Sequence, residues 1–206
     1  MFTDADLRTV FSSDEFKRQK NDPVYFARYW LLLILLYTVA RREEIANLAL
    51  VDVGSEDGCD FFDITPDSGR GRRLKTKASK RRVPIHSHLV KLGFLKYVEA
   101  RRSEGETPLF NKKASGAEKG RATVGDGGSK WLHRLLKRLK VPGSKCIHGL
   151  RSTVTTKLYE AGVDGETRRR LLGHAGKDEH EAKYLRPKVP ALREHLENLD
   201  FSAVLR

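Results

Sequence analysis

The most apolar run in the chain is 30–39, which includes Leu31, Leu32, Leu33, Ile34, Leu35 and Leu36. It is far shorter than the roughly 20 residues that cross a bilayer, so it reads as a buried helix. Asp22-Pro23 precedes it, and the predicted helix begins there, with proline in its first turn, and runs through Tyr37. Ser12, Ser13 and Asp14 can cap a helix starting near Glu15. A further helical pattern covers 42–50, where Ile45, Leu48 and Ala49 recur at helical spacing.

The polar stretch 52–58 holds Gly54 and Gly58 and reads as a turn. Segments 61–65, 73–77 and 81–85 read as strands, with a Gly- and Pro-rich break at 66–71. Residues 87–102 show helix periodicity through Leu89, Leu92, Leu95 and Val98, and 111–128 is too polar for a core and reads as a long loop. Helices follow through Trp131, Leu132, Leu135, Leu136 and Leu139, over 148–161, from an Asp164 cap to Leu172, and over 189–199. The predicted fold class is α+β, mainly α-helical with a small antiparallel three-stranded sheet. With no internal repeat or interdomain linker, 1–206 reads as one domain ending in a helix and tail from about 186.

Charge changes the picture. Lysine and arginine number 40 against 27 acids, a formal net charge of +13, which calls for a polyanionic partner. Hydrophobic residues at 39% exclude a disordered basic tail. Cys59 and Cys146 are too few for a disulfide framework or a four-cysteine zinc site, and fit a reducing, cytoplasmic setting. The N-terminus lacks the pattern of an export signal, and no cationic amphipathic helix points to a membrane. The cations concentrate at 70–82 and 130–140. Arg72, Arg73, Lys77, Lys80, Arg81, Arg82, Lys130, Arg134 and Lys137 are the expected contacts to a nucleic-acid backbone. His86, His88, His133 and His180 read as solvated.

Several short motifs carry candidate chemistry. His148 and Arg151 stand three apart on a helix and share a face. Taken singly each motif has an ordinary explanation: a surface His–Arg pair, a helix-ending glycine followed by a polar cap at Gly173-His174, helix-end cations at Arg41 and Arg42 paired with Glu44, and a lysine-rich ribbon at 75–82. Their order along the chain is another matter. Thr38-Val39-Ala40-Arg41-Arg42-Glu43-Glu44-Ile45, then Lys75 in a KTKxSxRxVP stretch, His148-Gly149-Leu150-Arg151-Ser152-Thr153, Leu171-Leu172-Gly173-His174 and Tyr184 together resemble the tyrosine recombinase, or phage integrase, family. The first box resembles TGLRxxEI, with Val39 for glycine and Ala40 for leucine. The resemblance spans about residues 8 to 200. Ten positions separate His174 from Tyr184, where many members have nine.

The resemblance implies a catalytic domain that cleaves and rejoins DNA strands through a 3′-phosphotyrosyl intermediate. Tyr184 is the implied nucleophile, Arg41, Arg151 and His174 the clamp on the scissile phosphate, His148 the base and Lys75 the acid, with Lys77 competing for that last role. Arginine suits the clamp because its planar fork donates several hydrogen bonds and stays charged. The implied partners are double-stranded DNA and further copies of the chain, a tetramer assembled through the C-terminal tail. No cofactor or metal is implied, and the setting is the cytoplasm of a bacterium, at the nucleoid, on a phage or mobile element. The helical N-terminal DNA-binding domain of full members is absent from these 206 residues. A type IB topoisomerase-like enzyme and a non-catalytic nucleic-acid-binding module are the alternatives.

Overall fold

The computed structural model describes residues 1–22, 25–65, 80–111, 123–174 and 188–205. Its centre is α3 (Phe26–Leu36), in which Tyr29 to Leu36 are all buried. A helix that is apolar all round needs neighbours on every side. Here they are α2 (Asp14–Gln19), α4 (Arg42–Ala46), α7 (Val124–Arg138) and α8 (His148–Glu160). An aromatic cluster of Phe26, Tyr29, Trp30, Phe94 and Tyr97 closes one end of the core.

Ahead of α2 lies a helix that the sequence reading lacks, α1 (Asp4–Phe11). Its capping box pairs the Thr3 hydroxyl with the Asp6 amide at 3.2 Å and the Asp6 carboxylate with the Thr3 amide at 2.7 Å. The helix expected over 42–50 stops at Ala46. Leu48 and Ala49 then turn to the segment at 107–109, where the Leu109 amide donates to the Leu48 carbonyl at 3.0 Å.

The sheet has three antiparallel strands in the order β1 (Val53–Glu56), β2 (Cys59–Ile64), β3 (Arg81–Pro84). The first is a correction, because 52–58 read as a turn. The reversal is confined to Asp57 and Gly58, both at positive φ, and Gly54 packs against Phe61 opposite it. The strand expected at 73–77 lies outside the described residues. The helix expected over 87–102 is two helices, α5 (Ser87–Lys91) and α6 (Phe94–Ser103), separated by Gly93 at φ 96°.

The glycine-rich stretch read as loop through 128 already belongs to α7 from Val124. The glycines are there for contact. A Cβ on Gly128 would stand 2.7 Å from Leu31 Cδ2, and one on Gly125 would stand 2.4 Å from the Glu43 carboxylate. Close approach of α7 to α3 and α4 outweighs the poor helix propensity of glycine.

After α9 (Gly165–Leu172), the last helix, α10 (Val189–Leu196), lies on β3 and β2. Val189, Leu192, Leu196, Leu199, Phe201 and Val204 are buried within the chain itself, and the turn at Ser202–Val204 packs on α1. The apolar face expected to be offered to a neighbouring copy is therefore covered by its own fold. Glu197 fastens this end by accepting from the Ser87 amide at 2.8 Å and the Ser87 hydroxyl at 2.6 Å.

His86, expected in solvent, is buried beside that latch, where its Nδ1 caps α5 by accepting the His88 amide at 3.0 Å. Burial holds its pKa below the ordinary 6.5, helped by His88 and Arg193 and opposed by Glu197. A histidine depressed in the fold binds its proton more readily when unfolded. Its contribution to stability is therefore complete above pH 6.5 and is lost as pH falls through the folded value. His88 and His174 shift the same way. Urea denaturation between pH 7 and pH 5 is expected to show falling stability, with a shallower slope in His86→Asn, which keeps a cap and cannot titrate.

Candidate active site

Two chain segments meet at one buried carboxylate. Glu44 lies on α4 one turn after Arg41, so its side chain reaches back over the start of the helix. It accepts the Arg41 amide at 2.7 Å and Arg41 Nη1 at 2.8 Å. Its other approach is filled by Arg81 of β3, whose Nη1 and Nη2 donate at 3.3 Å and 2.8 Å. Both arginines hold the Glu44 carboxyl below its usual range against the opposing effect of burial.

The second anchor is the C-terminus of α9. The last carbonyls of a helix lack partners within it and carry partial negative charge. Two arginines take them: Arg81 Nε donates to the Leu171 carbonyl and Arg151 Nη2 to the Leu172 carbonyl, each at 2.8 Å. Gly173, left-handed at φ 67°, ends the helix in a Schellman arrangement. The His174 amide donates to the Arg169 carbonyl at 3.0 Å and the Gly173 amide to the Arg170 carbonyl at 3.1 Å. This explains the Leu171-Leu172-Gly173-His174 sequence. Leu171 is buried in the core, Gly173 permits the turn, and His174 emerges exposed beside the arginines.

Arg151 forms the floor. It sits on the inward side of α8, 7% exposed, and also donates through Nη1 to the Val39 carbonyl just before Arg41. Burial and the charges of Arg41 and Arg81 bring its pKa down to about 10, which leaves it fully charged at neutral pH. Its Nη2 lies 3.4 Å from His174 Nε2. A guanidinium only donates, so this contact points the Nε2 lone pair at Arg151 and puts the imidazole proton on Nδ1. Burial and the surrounding arginines hold the His174 pKa down, so the ring is neutral at pH 7.

The structure thus brings Arg41, Arg151 and His174 together from three distant segments. His148 opens α8, exposed, one turn before Arg151. Lys75 and Tyr184 lie outside the described residues, as do Arg72, Arg73 and Lys77. Arg81 corrects its expected place among the DNA contacts. Its side chain is 8% exposed and turned inward onto Glu44 and α9. Alternation explains this: Arg82, the next residue of β3, faces out, pairing with Glu56 at 2.8 Å and lying over Phe61. Lys80, Lys130, Arg134 and Lys137 are exposed, the last three along one stripe of α7 opposite its buried Trp131, Leu132 and Leu135.

Glu44 is the site residue that the sequence reading treated as an ordinary partner. Its signal was present. A glutamate three residues after a helix-opening residue is placed to reach back to it, and Ile45 fixes that turn in the core. Among the described residues no group of three His, Cys, Asp or Glu side chains is placed to hold a metal ion.

A cluster of cations backed by buried hydrogen bonds suits an oxyanion with several oxygens. Comparison with known proteins gives the family. A model described as the phage integrase family matches residues 14–189. A curated tyrosine recombinase XerC-like protein of Caldanaerobacter subterraneus subsp. tengcongensis is 35% identical, over 81% of this chain and 47% of that protein. The chain spans about half the length of this relative. No solved structure gives a significant match. The chain belongs to the phage integrase family.

Removing the Glu44 charge leaves buried guanidiniums facing one another. Glu44→Gln is expected to lower unfolding stability in urea by roughly 3–5 kcal/mol, the usual cost of breaking a buried ion pair from one side. An exposed pair of the same type, Arg82 with Glu56, is expected to cost below about 1 kcal/mol on substitution of Glu56 by Gln.

Proposed function

We propose that the chain is the catalytic portion of a site-specific tyrosine recombinase. The observation that carries this reading is the convergence of Arg41, Arg151 and His174 at the end of α9, in a chain whose family uses such residues on DNA. In the proposed reaction the Tyr184 oxygen attacks a DNA phosphorus and the P–O5′ bond breaks. A 3′-phosphotyrosyl bond and a free 5′-hydroxyl result, and attack by a 5′-hydroxyl of another strand reverses the step. One phosphodiester replaces another, so the exchange needs no energy-rich co-reactant.

Negative charge grows on the two nonbridging oxygens as phosphorus becomes five-coordinate. Arg41 and Arg151 answer it with donors already fixed by Glu44, Val39 and Leu172, so little reorganisation accompanies the reaction. Neutral His174 adds a donor once its ring turns from Arg151 to the phosphate. A tyrosine near its ordinary pKa of about 10 is ionised to roughly one part in a thousand at pH 7, so a base is useful. His148 takes the phenolic proton, and Lys75, or Lys77 in its place, returns one to the leaving 5′-oxygen.

The exposed cations Lys80, Lys130, Arg134 and Lys137, with Arg72, Arg73 and Lys77, hold the flanking backbone of double-stranded DNA. Four copies acting on paired sites is the assembly this exchange calls for, in a bacterial cytoplasm at the nucleoid. With the tail face covered in its own chain, α10 and the turn at Ser202–Val204 have to leave their seat before they can join copies together.

Nicked DNA fragments from the source genome, incubated with the protein and run on a denaturing gel, test the chemistry. A covalent protein–DNA band is expected from the wild type and none from Tyr184→Phe. Arg151→Lys should lose the band because a point charge does not reproduce the fork. Wild-type protein that forms no band overturns the reading, and relaxation of supercoiled plasmid without exchange of strands would turn it toward a topoisomerase. The flanking contacts have a separate signature. Substituting Lys130, Arg134 and Lys137 with Gln is expected to flatten the dependence of log K on log salt by about 0.9 for each phosphate contact removed.

A further inference from the structure

We propose that residues 2–6 form a strap that sets the position of the first turn of α8, and that Phe2 is a positioning residue for His148; the role rests on the strand-cleavage reading above. The turn that carries His148 has no local anchor of the usual kind. Ile147 at its N-cap is itself helical and gives no side-chain cap. What holds this turn comes from the other end of the sequence.

The Phe2 ring, buried at 4% exposure, lies against the backbone of Gly149. A Cβ there would stand 3.2 Å from the ring Cε2 and 3.4 Å from Cδ2. A glycine, a poor residue for a helix, therefore stands next to His148 where the ring makes its closest approach. One turn further, the Phe2 amide donates to the Thr153 hydroxyl at 2.8 Å, and that hydroxyl donates to the Phe2 carbonyl at 3.2 Å. Two ion pairs bracket these contacts: Lys145 with Asp6 at 3.1 Å and Lys157 with Asp4 at 2.8 Å.

Three of the contact positions, 149, 153 and 157, recur every fourth residue along α8 and form one stripe, and Lys145 lies in the segment that leads into it. Arg151 leaves the helix in another direction, toward Val39 and Leu172. The helix is thus gripped from two sides, by the strap and by the active-site carbonyls. His148 is exposed between them, and the strap reaches the residue immediately after it. A base must stand within hydrogen-bond reach of the proton it takes, and a displacement of about 1 Å can cost on the order of 100-fold in rate.

The test uses the full chain, the same nicked genomic fragments, and hydrogen exchange. Phe2→Ala is expected to slow covalent adduct formation at pH 7 by roughly 10- to 100-fold with DNA affinity unchanged. The deficit should narrow toward about pH 10, where the tyrosine ionises without help. Amides of 148–151 should exchange faster, and those of 155–160 should not. Gly149→Ala should show the same defect by collision, and Gly149→Ala combined with Phe2→Leu should recover much of the rate. Phe2→Ala at the wild-type rate, or a deficit equal at every pH, overturns the positioning role while the strand-cleavage reading stands. Failure of the double variant to recover does the same, and covers the case in which Phe2→Ala does not fold. A wild-type protein without adduct overturns the strand-cleavage reading and the positioning role together, and the control lane tells the two results apart.

Discussion

The site depends on one buried carboxylate. Arginines brought together repel one another, and the repulsion grows as water is excluded. Glu44 offsets this from behind. It holds Arg41 by backbone and side chain and Arg81 by a two-pronged contact, so α4 and β3 are joined at a single group. Arg81 extends the connection to α9 through the Leu171 carbonyl, and Arg151 links α9 to the end of α3 and to α8. The carbonyl ends of a helix and a loop supply the remaining negative potential without adding a second full charge.

Much of this was legible in the sequence, and the exceptions have physical causes. The Leu31–Leu36 run, the 148–161 periodicity and the Asp164 and Gly173 caps are local signals, and α3, α8 and α9 follow them closely. The motif order identified Arg41, Arg151 and His174, which the fold brings together. Errors arose where a distant partner decides the outcome. Gly125 and Gly128 read as loop because composition does not show Glu43 and Leu31 pressing on them. His86 read as solvated because its burial comes from a tail more than one hundred residues later. β1 read as a turn because its pairing with β2 outweighs the depleted strand propensity of its Gly and Ser. Arg81 and Arg82 look alike in sequence, and only strand alternation separates a buried brace from a surface cation.

Both ends of the described chain work on the same scaffold. The N-terminal residues grip α8, and the C-terminal turn packs on α1, so the first and last described elements touch. Most of these contacts join residues far apart in sequence: Phe2 to Thr153, Ser87 to Glu197, Arg151 to Val39. Topology of this kind closes late, since long loops must be ordered before their contacts form.

Burial and the neighbouring charges of Arg41 and Arg81 lower the pKa of Arg151. Among the described residues, the guanidiniums of Arg41 and Arg81 pair with the one carboxylate of Glu44, and the Arg151 guanidinium close to them rests on the carbonyls of Val39 and Leu172. Stability and the proposed function pull against each other at these positions. A sequence chosen for foldability alone would discard one of these charges for an apolar side chain and gain robustness. Like charges held this close are a compressed spring, latched by a single carboxylate and a few carbonyls.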